Sequence, residues 1–134
     1  MLLTSINGLP AFIMYLATAA VLCMLFVRAY TAITPNPEIE LMRSGNRSAA
    51  LATGASLVGF AIPLASAIFH SASLVDVMVW GVVALLTQLL AFYLARLALP
   101  ALGKMIAQDD ITGAIWVGCV SISAGILNAA CMSS

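Results

Sequence analysis

The stretch SAALATGASLVGFAIPLASAIF, Ser48–Phe69, decides the fold, because it runs without a charge and is preceded at once by Arg43 and Arg47. At 1.5 Å per residue it reaches about 30 Å, the thickness of a bilayer's hydrocarbon slab. Backbone in hydrocarbon must satisfy its own hydrogen bonds, so a lone segment of this length is a helix. Working outward, Leu9–Tyr30, Leu74–Leu97 and Ile111–Met132 have the same character, and no charge stands between Met1 and Val27. The composition agrees: 63% of residues are hydrophobic, 7% are charged and the mean hydropathy is +1.13, which excludes an ordinary soluble domain. Transmembrane strands would show as ~10-residue alternating segments, and none is present. The expected fold is an all-α membrane protein, residues 1–134 forming a single domain of four transmembrane helices at 9–30, 48–69, 74–97 and 111–132.

The first run can be weighed against a cleaved signal peptide. It lacks a basic leading segment, and its apolar stretch exceeds the usual ~7–15 residues. Leu22 also stands before Cys23 where a lipoprotein cleavage box wants a small residue. A retained helix is the reading adopted.

All five basic residues flank two of the three inter-helix loops: Arg28, Arg43 and Arg47 around the first, Arg96 and Lys104 around the third. Lys and Arg in short loops mark the cytoplasmic side. Loops 31–47 and 98–110 are therefore expected in the cytoplasm and both termini on the far side. The formal net charge is zero, so no electrostatic attraction for nucleic acid is expected.

The chain reads as two copies of a two-helix hairpin, residues 1–69 and 70–134, offset by 64 positions. Glu40-Leu41-Met42-Arg43 then falls on Lys104-Met105-Ile106-Ala107, and Ala49–Gly54 on Gly113–Gly118. Two helices per copy leave both copies in one orientation, related by a pseudo-twofold along the membrane normal. In the charged loops, Pro35, Pro37 and Pro100 stop the preceding helices. Residues 38–43 and 101–106 then form either short interfacial helices, apolar side in lipid and charges in water, or plain connections. Asn46 or Ser48 is placed to cap the second span, and Asp109 or Asp110 the fourth. Ser73-Leu74-Val75-Asp76 is a capping-box pattern opening the third, and its short loop makes the second and third spans antiparallel neighbours.

Helices in lipid pack through small residues. Ala52, Ser56, Gly59, Pro63 and Ser66 form one stripe at three- and four-residue spacing. Gly81, Ala84, Gln88, Ala91 and Ala95 form a second, and Gly118, Ser121, Gly125 and Asn128 a third. The three stripes can meet in a seam where Gln88 and Asn128 find partners; Pro63, Ser66, Gln88, Ser121 and Asn128 are its candidate polar residues. Structural packing and a substrate path both fit it. Pro63 is expected to kink its helix and free a carbonyl for another donor.

No Asp, Glu, Lys or His occupies the middle of a span, which argues against a proton-coupled multidrug carrier. Ser71, His70 and Asp76 lie together in the second loop, but neighbouring positions seldom give triad geometry and no nucleophile elbow is present. Cys23, Cys119 and Cys131 lack metal or redox spacing. No catalytic residue, cofactor or metal ligand is expected, and the protein is expected not to be an enzyme. Trp80 and Trp116 suit interfacial anchoring.

The chain resembles the bacterial inner-membrane family of domain of unknown function 350, UPF0719. The stretches that carry the likeness are Gly45–Ala50, Gly59–Ile68, Ser71–Asp76, Trp80-Gly81, Gln88–Leu90 and Gly125–Met132. The resemblance implies a four-helix multi-pass inner-membrane protein built from a duplicated hairpin. It brings no established activity, and it suggests a link to envelope-stress proteins as a partner hypothesis. Two functions follow. One is a non-enzymatic scaffold or complex subunit, homo-oligomeric or bound to a membrane-protein partner, docking through Glu38, Glu40, Arg43, Arg47, Lys104, Asp109 and Asp110. The other is a small oligomeric channel or transporter that uses the seam.

Overall fold

The computed structural model describes residues 6–34 and 37–132. Its elements are α1 (Leu9–Ile33), α2 (Glu38–Arg43), α3 (Arg47–His70), α4 (Leu74–Ala98), α5 (Leu102–Ala107) and α6 (Ile111–Met132), with no strand among the described residues. The four long helices are each long and apolar enough to cross a membrane. Their limits follow the hydropathy closely. α1 runs to Ile33 rather than Tyr30, and within that extra turn the Thr31 hydroxyl donates back to Arg28 O at 3.1 Å. Pro35 lies outside the described residues; Thr34 closes α1 through its N–H to Tyr30 O.

Of the two alternatives for the loops after α1 and α4, both take the short helix, over 38–43 and over 102–107 rather than 101–106. Neither simply floats in lipid. Glu38 of α2, and Leu102 and Ile106 of α5, are buried against the bundle. Their turns follow one backbone pattern. Leu41 N bonds Pro37 O, Ser44 N bonds Glu40 O, Gly45 N bonds Met42 O and Asn46 N bonds Leu41 O. Met105 to Ala101, Gln108 to Lys104, Asp109 to Ile106 and Asp110 to Met105 repeat each bond 64 positions on. The left-handed residues also correspond, Gly45 at φ 92° and Asp109 at φ 58°.

α3 and α6 form the centre and run parallel, a consequence of the two helices between their starts. They come together where side chains vanish. A Cβ on Gly59 would strike Ser121 O, and one on Gly125 would strike Gly59 O. Close approach of this kind is how helices associate without a hydrophobic drive. α4 packs against both, burying Gly81, Ala84, Gln88, Ala91 and Ala95. α1 stands outside, against α3 and α4, and buries only Leu22, Phe26 and Tyr30. Leu22 fills the space over Gly81. Phe26 stacks on Phe60 with centroids 4.9 Å apart, and Tyr30 meets Phe92 edge-on at 5.4 Å. The rest of α1 exposes Phe12, Ile13, Leu16, Val21 and Met24, a face suited to acyl chains.

Candidate functional site

The polar residues of the seam are brought together by α3, α4 and α6. Pro63 is buried inside α3 and has no N–H to give Gly59 O, four residues earlier. Gln88 of α4 supplies the missing donor: its Nε2 donates to Gly59 O at 3.0 Å and to Ser121 O at 3.1 Å. One amide thus fastens three helices, and Gln88 is only 2% exposed. Its Oε1 has no partner. Around it, the Ser56 and Ser121 hydroxyls are 3.3 Å apart, and Ser66 Oγ donates to Ala129 O at 3.5 Å. Asn128 lies farther along α6, with its buried Nδ2 unpartnered.

The end of the bundle that carries α2 and α5 is fastened just as firmly. Asn46 caps α3, its Oδ1 accepting from Ala49 N at 2.9 Å. The same side chain reaches across, Nδ2 donating to Ile106 O at 2.9 Å and Ala107 O at 3.5 Å, so it also satisfies carbonyls at the end of α5. Asp109 returns the favour, its Oδ1 accepting from Ser48 N at 2.8 Å in the first turn of α3. That N–H, helped by the Arg47 charge, holds the Asp109 carboxyl below the usual carboxylate range. Asp110, not Asp109, caps α6, accepting from Thr112 N at 3.1 Å. Glu40, Arg43, Arg47, Lys104, Asp109 and Asp110 are all exposed.

Glu38 does not belong with them. It is 1% exposed, and neither carboxylate oxygen has a hydrogen-bond partner. Burial pushes its carboxyl above the usual carboxylate range, against a smaller opposing effect of the Thr34 hydroxyl. That hydroxyl already donates to Thr31 O at 3.2 Å. Tyr30, 1% exposed, lies close by, its Oη near Ser56 but outside hydrogen-bond geometry. A charged letter in a loop reads as solvated, so the sequence reading put Glu38 on the surface. The signal that finds it is the 64-residue alignment, which sets it on Leu102, also 1% exposed.

At the opposite end, Ser66, His70, Ser71, Asp76 and Trp80 line a cavity of about 100 Å³. Three of its polar groups are engaged with nearby backbone: His70 Nδ1 with Ser66 O at 3.0 Å, Ser71 Oγ with Ile68 O at 3.1 Å, and Asp76 Oδ2 with Ala72 N at 3.2 Å. Ser73 Oγ caps α4, accepting from Asp76 N at 3.4 Å. No metal-binding cluster of His, Cys, Asp and Glu occurs among the described residues.

Residues 4–132, nearly the whole chain, match the family model of the Domain of Unknown Function DUF350. The chain belongs to the DUF350 family. It is 36% identical over 128 residues to the UPF0719 inner membrane protein YjfL of Escherichia coli strain K12, covering 96% of this chain and 97% of that protein. The same figures hold for the YjfL of Escherichia coli O157:H7. No solved structure matches. With four apolar helices, this DUF350 chain is a multi-pass inner-membrane protein. The buried Gly59–Gln88–Ser121 clamp lies within the part of the chain that the family model covers.

Proposed function

We propose that this DUF350 protein is a non-enzymatic membrane scaffold or complex subunit that docks a protein partner through the end bearing α2 and α5. The observation that carries the reading is the cross-fastening of the two loops by Asn46 and Asp109. It turns two separate connections into one surface bearing Glu40, Arg43, Arg47, Lys104, Asp109 and Asp110. A fixed array of both signs favours orientation and choice of partner over raw affinity. The channel reading draws less support, since the Gln88 N–H group is spent on the Gly59 and Ser121 carbonyls, closing the bundle where α3 and α6 nearly touch. The basic residues Arg28, Arg43, Arg47, Arg96 and Lys104 gather at the docking end, which supports a cytoplasmic docking face and periplasmic termini. The matched backbone of the two loops supports a duplicated hairpin as its origin. A link to envelope stress would make the partner a cytoplasmic or membrane stress protein.

The test is purification in mild detergent followed by native mass spectrometry. A stoichiometric partner should be lost when Arg43→Gln, Arg47→Gln and Lys104→Gln are combined, with the protein's own yield unchanged. Unchanged partner recovery refutes docking through this face. A homo-oligomer without a second protein would shift the reading to an oligomeric pore, to be followed by flux measurements on Gln88→Leu.

A further inference from the structure

Glu38 begins α2 as Leu102 begins α5, and the turns that follow share every backbone bond described above. Both side chains are 1% exposed. The same fold position is therefore filled by leucine in one loop and by a carboxyl in the other. Thr53 and Val117, each the seventh residue of its long helix, contrast in the same way, at 5% and 0% exposed. Packing alone takes an apolar residue here, and a buried polar group without partners costs stability. Something other than packing must be gained at Glu38.

The groups around it narrow the choice. Tyr30 of α1 is the titratable side chain facing Glu38, and its hydroxyl is unpartnered as well. Arg28 on α1, Glu40 and Arg43 on α2, and Arg47 on α3 are exposed, and no basic group bears on the Glu38 carboxyl. A carboxylate this buried and without a cation takes a proton instead of carrying its charge. We infer that Glu38 is a proton-binding site, held as the neutral acid while α2 is seated on the bundle and giving its proton to water at that membrane face when α2 lifts away. The bond broken is the Glu38 O–H, water accepts the proton, and the carboxylate is left hydrated. The inference goes beyond the docking reading and does not need it, since the docking charges are exposed whether or not Glu38 is protonated.

Linkage gives the sign. A carboxyl raised in the folded state contributes stability that is complete below the ordinary carboxylate range and is lost as pH rises through the raised value. The experiment is thermal unfolding of the purified full chain in detergent from about pH 4 to about pH 9. It is run on wild type, Glu38→Gln and Glu38→Leu, with infrared spectra of the folded wild type over the same range. The wild-type melting temperature should fall by several degrees relative to Glu38→Gln as pH rises. A protonated-carboxyl stretch should be present in folded wild type above the ordinary carboxylate range and absent from Glu38→Gln. Parallel pH profiles for wild type and Glu38→Gln, or no such stretch, would overturn the assignment. So would a wild-type melting temperature raised by sodium or potassium chloride over choline chloride, with the stretch missing, because the site would then hold a metal cation. If Glu38→Leu does not fold, the wild-type infrared spectrum still decides.

Discussion

If Gln88 takes over the carbonyl that Pro63 leaves without a donor, the two residues must be energetically coupled. Replacing Gln88 by Leu removes its bonds to Gly59 O and Ser121 O. Interhelical hydrogen bonds in membranes average about 0.6 kcal/mol and reach about 1.7, so the pair is worth about 1–2 kcal/mol. The change also strands Gly59 O in a dry interior, a cost of about 1–3 kcal/mol. Loss of the unpartnered Gln88 Oε1 returns a cost of similar order. The net destabilisation is about 1–2 kcal/mol. In a Pro63→Ala background Gly59 O regains an N–H in its own helix, so losing the Gln88 amide leaves no carbonyl stranded. There the same Gln88→Leu change should cost close to nothing, leaving a coupling of about 1 kcal/mol between positions 63 and 88. Equilibrium unfolding in mixed micelles would measure it, followed by tryptophan fluorescence, since Trp116 Nε1 donates to Ala95 O at 3.1 Å and so reports the α4–α6 contact. Equal cost in both backgrounds would refute the claim that Gln88 answers the proline.

The glycines offer a contrast in the same assay: Gly125→Ala drives a methyl into Gly59 O and should destabilise by at least about 1–3 kcal/mol, the cost of overpacking. Gly54→Ala, where a Cβ meets nothing within 4 Å, should be neutral or stabilising by up to about 1 kcal/mol through helix propensity. Asp109, whose carboxyl is lowered by Ser48 N–H, contributes stability that is present above the ordinary carboxylate range and lost as pH falls through its lowered value. Asp109→Asn should flatten that acid limb of the melting-temperature profile, and an unchanged limb would discount the cross-loop cap.

The four spans were legible because hydropathy and length alone select helices in lipid, and the small-residue stripes named the faces that the structure buries. Pro63 also told that a carbonyl would be freed, and that carbonyl is Gly59 O, four residues earlier. Which donor would answer was not legible, because Gln88 meets Gly59 only through the relative depth of α3 and α4. Asp109 eluded the sequence for a different reason. Either aspartate before α6 can cap it, and the choice falls to Asp110 because Asp109 takes the left-handed position that Gly45 occupies in the first loop. Its side chain is thereby turned toward α3, a direction fixed by backbone conformation and invisible in local propensity. Glu38 was misjudged because a charge in a loop is usually solvated.

These placements make the two ends of α1 unequal. Its buried residues, Leu22, Phe26 and Tyr30, all lie in the half nearer α2, and the aromatic contacts to Phe60 and Phe92 are there too. The other half faces outward with large apolar side chains and has no comparable hold. Tyr30 and Thr34, which lie beside Glu38, are therefore part of α1's main attachment to the bundle. The α3–α6 pair is secured separately, by backbone approach at Gly59 and Gly125 and by the Gln88 amide. Ionising Glu38 would consequently loosen α2 and the foot of α1 first, leaving the parallel pair closed. A protonation event at Glu38 would thus act on α2 and the foot of α1 while the α3–α6 pair keeps its own fastening.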